Sequence, residues 1–170
     1  LIEQGRSTKA ELIMPLPGET KQTFVKGLNN VLNSSASSVT IYTLMMLNGT
    51  EFKNPEFRKK YEYIGKFRIV PLNFGEYNNE RIFDFEEVGI STKDMSFDEY
   101  LSLRGLALLV ESLVNGKPFY EFFKYSKIFK IEAADLLKSM YDNIKLASPN
   151  IQKIISGFIE ETKGELWDSE

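Results

Sequence analysis

AELIMPLPGETKQTFVKGLNNVLNSSASSVTIYTLMML (residues 10–47) runs through three apolar rhythms in succession. Leu12, Ile13 and Met14 are consecutive, the pattern of a strand within Ala10 to Leu16 covered on both faces. From Glu19 to Asn33 the residues Phe24, Val25, Leu28, Val31 and Leu32 fall on one face of a helix. After the polar loop NSSASS (33–38), SVTIYTLMML is a second buried strand, rich in β-branched and aromatic residues. Strand, helix and strand in about forty residues make a βαβ unit. Its strands are expected to be parallel neighbours joined by a right-handed crossover.

At the joint of that unit, PLPGETK (15–21) lies at the carboxyl end of the first strand, where α/β folds place ligands. Pro15 and Pro17 stiffen the exit, and Gly18 permits a backbone angle or close approach that a Cβ would block. Glu19 and Thr20 open the helix, where a carboxylate suits the positive end of the dipole. A phosphate site would want that helix end free of fixed negative charge, and the lysine and spacing of a Walker motif are absent. A neutral or cationic polar ligand, hydrogen-bonded to Glu19 and in apolar contact with the strand, matches these residues better. A plain βα turn accounts for them equally well.

Working outward, LIEQGRSTK (1–9) reads as the end of a helix closed at Gly5, and LNGTEFKNPEFRKKYE (47–62) as a turn and a short charged helix. KFRIVPLNFGEY (66–77) has a strand core at Phe67 to Leu72, with Pro71 marking an edge or a strand end. ERIFDFEEVGIST (80–92) alternates as another strand. SFDE (96–99) is a capping box for a helix running to about Val114 and closed by Asn115 and Gly116. PFYEFFKYSKIF (118–129) reads as a short helix packed on the core, and Ala133, Leu136, Leu137, Met140, Tyr141 and Ile144 have helical spacing. Ser148 and Pro149 start a last helix whose buried face is Ile151, Ile154, Ile155, Phe158 and Ile159, and the tail KGELWDSE (163–170) is expected to fray. The chain thus divides into an α/β part, residues 1–93, and an α-helical carboxyl-terminal region, residues 94–170.

With 170 residues, 42% hydrophobic and 26% charged, the composition is that of an ordinary globular protein. A net charge of −3 without a long Lys/Arg run argues against a duplex nucleic-acid binder. The chain contains neither cysteine nor histidine, so disulfides, thiolate nucleophiles, iron–sulfur ligation and histidine acid/base chemistry are outside its means. The longest apolar run, around Leu44 to Leu47, is too short to cross a bilayer. No membrane contact is expected, and cytoplasm is the default compartment. The chain opens at Leu1, which suggests a piece of something longer.

Other residues offer weaker signals. Asp84 and Glu86 share one strand face with Glu87 opposite, an arrangement more typical of a solvated face than of a metal or acid/base site. Glu160, Glu161 and Glu165 read as surface charge, and Arg58 to Lys60 as a solvated helix face. Phe119, Tyr120, Phe122, Phe123 and Tyr125 read as core, with base stacking or a substrate pocket as the alternative. Tyr42 and Thr43 lie in the second strand, where one of the two would point into a barrel, without a register to say which. No catalytic residue and no metal ligand emerge.

Taken in order, ELIMPLPGETKQTF (11–24), LMMLNGTEF (44–52), KFRIVPLNFGEY (66–77) and MSFDEYLSLR (95–104) resemble the carboxyl-terminal region of radical S-adenosylmethionine (SAM) enzymes, in particular members with an upstream cobalamin-binding domain. The resemblance implies the carboxyl-terminal part of a partial (βα)6 TIM-like barrel followed by an α-helical region. In that family a [4Fe–4S] cluster, held by three cysteines, cleaves SAM to a 5′-deoxyadenosyl radical. By motif position Ile13 would pack near adenine, Gly18 and Glu19 would shape the turn beside the nucleoside, and Gly49 and Thr50 would form the neighbouring turn. Pro15 stands in the same stretch where glycine is common, and Asn48 where proline is common. The resemblance further implies a parent that is a methyltransferase or oxidoreductase, with the cluster ligands and any cobalamin on its upstream domains, acting on an unknown substrate. The fragment alone would be catalytically inactive, and its exposed strand edges would offer a route to a homodimer. The rival expectation is a non-catalytic α/β plus helical module that docks a partner or caps another domain.

Overall fold

A computed structural model describes residues 8–34 and 36–169; the helix end expected before Gly5 lies outside them. β1 (Lys9–Met14), α1 (Lys21–Leu32) and β2 (Ser38–Thr43) form the βαβ unit, with β1 and β2 parallel and in register from Lys9↔Ser38 to Met14↔Thr43. Thr20 is the N-cap of α1. Its hydroxyl accepts from the Thr23 amide (3.2 Å), while the Thr23 hydroxyl oxygen accepts from the Thr20 amide (2.9 Å). This reciprocal box satisfies two amides that a helix start otherwise leaves unpaired. Glu19 therefore precedes the cap instead of occupying the first turn, which contains no acidic residue.

The strands are not covered on both faces. Ala10, Leu12 and Met14, with Val39, Ile41 and Thr43, face the helices, whereas Lys9, Glu11, Ile13 and Tyr42 are exposed. Three consecutive apolar residues imitate a doubly covered strand, but strand geometry still sends Ile13 to the opposite side from its neighbours. Among the described residues β1 is paired on one edge only.

After β2 the chain passes through a short 3₁₀ turn (Glu51–Lys53) and α2 (Pro55–Tyr61) into a long antiparallel hairpin, β3 (Ile64–Tyr77) and β4 (Glu80–Ser91). Asn78 and Asn79 both have positive φ (52° and 66°), as a two-residue turn of the twist-compatible kind demands. Pairing breaks between Ile69 and Phe74, where a proline in the sequence signals an interruption. Backbone bonds from the Met46 amide to the Glu87 carbonyl (2.8 Å) and from the Gly89 amide to the Leu44 carbonyl (2.9 Å) stitch the hairpin to the end of β2. The far edge of β3 receives Trp167 through reciprocal bonds with Phe67 (2.9 and 2.8 Å). The tail, expected to fray, is thus held as a strand partner at that point.

α3 (Phe97–Leu113), α4 (Tyr120–Ile128), α5 (Ala133–Asp142) and α6 (Pro149–Gly164) follow. Ser96 and Glu99 form the expected capping box of α3. The main buried cluster joins Met14, Phe24, Leu28, Val39, Ile41, Val88 and Ile90 to Tyr100, Leu103, Leu106, Leu137 and Ile155. Two asparagines fasten this packing. The Asn29 side chain of α1 accepts from the Ala134 amide (2.8 Å) and donates to Asp135 (3.0 Å), capping α5 across the interface. Asn115 bonds both backbone groups of Val39 (3.0 and 2.8 Å), standing in for a strand at the edge of β2. Of the face expected to bury α6, Ile155 is buried, but Ile151 and Ile154 are exposed.

Candidate functional site

The carboxyl ends of β1 and β2 lie side by side because the strands are parallel and adjacent, and the Leu44 amide bonds the Met14 carbonyl (2.8 Å) to extend the pairing to its limit. Each exit then makes the same kind of turn. In Leu16-Pro17-Gly18-Glu19 the Glu19 amide bonds the Leu16 carbonyl (3.1 Å), with Gly18 at φ +75°. In Leu47-Asn48-Gly49-Thr50 the Thr50 amide bonds the Leu47 carbonyl (3.2 Å), with Gly49 at φ +83°. A positive φ at the third position is what a type II turn requires, and glycine meets it without strain. No atom lies within 4 Å of where a Cβ would sit on either glycine, so backbone conformation, not crowding within the chain, selects glycine here.

The expected site residues occupy distinct positions around this rim. Ile13 is exposed on the open sheet face, paired in register with Tyr42. Pro15 is buried, and its peptide bond to Met14 is cis. Gly18, Gly49 and Thr50 are exposed, and Glu19 is half-buried. Thr50 also bonds the Leu47 carbonyl through its hydroxyl (2.7 Å), locking the second turn.

Tyr63, a residue the sequence reading passed over, links the two turns. Its hydroxyl donates to the Pro15 carbonyl (3.0 Å), and its ring packs with Phe52 just after the second turn (5.9 Å, edge-on) and with Leu44 and Met46. Burial and the nearby charge of Glu19 raise its pKa well above the ordinary tyrosine value, so it remains a donor. Tyr63, one of two tyrosines in KKYEYIGK (59–66), carries no periodic signal that would have marked it.

Glu19 differs from the other residues of the rim in carrying an unpartnered polar atom. Its Oε2 is buried without a hydrogen-bond partner among the described residues. Burial raises the carboxyl pKa, and a backbone interaction at Leu16 only partly offsets it. Such a group accepts hydrogen bonds readily and gains most from a ligand that brings a hydroxyl, amide or ammonium donor. Exposed Leu16, Met45 and Leu47 supply apolar surface on the same strand exits.

The remaining candidates sort differently. Glu87 lies opposite Asp84 and Glu86 as expected, but it is buried rather than solvated, bound by Lys53 (2.5 Å) and Arg58 (2.8 Å). Arg58 is accordingly more than a solvated helix charge. Glu86 pairs with Arg68 (2.7 Å). No group of three acidic residues suited to a metal ion occurs among the described residues. The aromatics expected in the core are largely outside it: Phe119, Tyr120, Phe122 and Tyr125 are 49–61% exposed. Mixed helical spacing placed them around all sides of α4, more than one buried face can absorb. No described helix is long and apolar enough to cross a membrane. In comparisons with known proteins, no family model matches the chain and no curated protein matches it.

Proposed function

We propose that the chain is the carboxyl-terminal portion of a radical SAM enzyme and that the rim formed by the exits of β1 and β2 is one wall of its SAM pocket. The observation that carries this reading is the pair of matching glycine turns on adjacent parallel strands, in the order the resemblance requires, with the unpartnered carboxylate oxygen of Glu19 at the end of the first turn. In this reading the sheet is the end of a partial barrel. The unpaired edge of β1 receives the strands that precede it in the parent, and the exposed face of Lys9, Glu11, Ile13 and Tyr42 looks into the barrel.

The residues fit a nucleoside with donor groups. Ile13 offers apolar contact to a base, Glu19 accepts from hydroxyl or ammonium donors, and the two turns fix the spacing of the rim. They do not fit the iron–sulfur cluster, since the chain has no cysteine, and no described residue is assigned to cobalamin. Electron transfer, bond cleavage and any methyl transfer therefore belong to the parent's other domains. This chain's residues bind and orient.

The test is calorimetric titration of SAM into the full-length parent. Ile13→Asp and Glu19→Ala are each expected to weaken binding about tenfold or more. Unchanged affinity in both folded variants would remove the site. Independently, a three-cysteine motif is expected upstream of Leu1, within roughly 100–200 residues. The second reading, a docking or capping module, draws on the exposed aromatic surface of α4 and is favoured if that motif is missing.

A further inference from the structure

From Leu72 to Phe85 no residue of the β3–β4 hairpin is buried. The outer end of the hairpin therefore stands clear of the described helices with both faces open, and the two faces differ in chemistry. Residues paired across an antiparallel ladder share a face, as do residues two apart along a strand. Ile69↔Phe85, Phe74↔Phe83 and Glu76↔Arg81 are partners in register, so these six side chains stand on one side. The four apolar ones are 38–68% exposed, and the rings of Phe74 and Phe83 lie 6.0 Å apart as a single platform.

Nearest the tip on that side, Glu76 and Arg81 are exposed, and neither has an ion-pair partner among the described residues. The reverse side also has apolar residues, Tyr77 and Ile82, but with them Glu80 and Asp84, exposed acids that likewise have no ion-pair partner among the described residues. An exposed apolar patch rimmed by charge marks a contact surface. Here the charge pattern points to the partner. A second copy carries the same carboxylate and guanidinium, and a two-fold axis along the hairpin lays β3 of each copy over β4 of the other. Glu76 then meets the partner's Arg81, Arg81 meets the partner's Glu76, and Phe74 meets the partner's Phe83. The reverse faces, pressed together in the same way, would gather uncompensated acids from both copies.

We propose that the hairpin is a dimerisation arm whose face of Ile69, Phe74, Phe83 and Phe85 packs on the same face of a second copy, aligned by Glu76 and Arg81. This is a contact between faces, distinct from pairing at strand edges, and it does not depend on the radical SAM reading.

Sedimentation equilibrium of the full-length protein over roughly 1–100 µM tests it. A reversible dimer is expected. Glu76→Arg and Arg81→Glu each set like charges against like across the axis and are each expected to weaken dimerisation by about tenfold or more. An equimolar mixture of the two variants is expected to dimerise as tightly as wild type, because two arginines then face two glutamates. Phe74→Ser with Phe83→Ser, both at exposed positions, is expected to leave a monomer with an unchanged circular dichroism spectrum; should the spectrum change, the mixing experiment decides alone. A monomer at every concentration would overturn the proposal and leave the face to another part of the full-length protein. A dimer indifferent to both charge variants, or a mixture no tighter than its components, would overturn it and move the contact off this face.

Discussion

Replacing Glu87 with glutamine is expected to lower stability by about 2–3 kcal/mol at neutral pH. The carboxylate is buried and holds Lys53 at 2.5 Å and Arg58 at 2.8 Å, joining β4 to the segment that follows β2. Breaking a fully buried pair costs about 3–5 kcal/mol. Here the partner side chains are 31% and 29% exposed and recover some hydration, which places the loss below that range. For a chain of this size the melting temperature should fall by roughly 5–10 °C. The pH dependence follows from the sign of the shift. Burial alone would raise the Glu87 pKa, but hydrogen bonds and charges from Lys53 and Arg58 outweigh it and hold the pKa below the ordinary carboxylate value. The contribution is therefore present above that ordinary value and disappears as pH falls through the lowered one. Urea unfolding from pH 7 to pH 3 should show a shallower acid limb in Glu87→Gln than in the wild type. A Cβ on Gly65 would stand 2.2 Å from Glu87 Oε1, so Gly65→Ala should also destabilise, and markedly less in the Glu87→Gln background. Melting within 1–2 °C of wild type, with an unchanged acid limb, would refute the reasoning.

Tyr63→Phe removes the bond to the Pro15 carbonyl and should cost about 1 kcal/mol in urea unfolding, with faster amide exchange in the Leu16–Glu19 turn. Because burial raises the Glu19 pKa, its ionised form opposes folding at neutral pH, and that penalty fades as pH falls below the raised pKa. Glu19→Gln should therefore gain on the order of 1 kcal/mol at pH 7, and the gain should vanish toward pH 4; thermal melts across that range check it. Trp167→Pro deletes the amide that the Phe67 carbonyl accepts and should raise exchange at the Phe67 amide at least tenfold, equivalent to about 1.4 kcal/mol of local opening.

Local chemistry in the sequence was enough to find what local chemistry builds. The strand–helix–strand unit came from periodicity and the α3 start from Ser96 and Glu99, while Gly18 left open a special backbone angle or a close approach, of which the structure shows the angle. Long-range partners were another matter. Asn29 sits within an amphipathic helix, and nothing near it announces that it caps α5 more than a hundred residues later. Glu87 looks like any acidic strand residue until α2 brings Arg58 beside it. Tyr63 gains its place from the meeting of two turns separated in sequence. The aromatics of α4 misled because hydrophobicity is a one-way guide: apolar residues fill cores, yet much folded surface is also apolar.

The strand edge closed by Trp167 has a consequence for how the molecule is made. Phe67 and Trp167 stand one hundred residues apart and bond reciprocally, and Lys66 pairs with Asp168 at the same place. On the ribosome, β3 emerges long before the segment that will cover it. The hairpin must wait with a bare edge while the four helices after it are synthesised, and contacts so distant in sequence form late. A chaperone that shields extended backbone would find its window there, and slowing translation between residues 78 and 167 would lengthen the exposure.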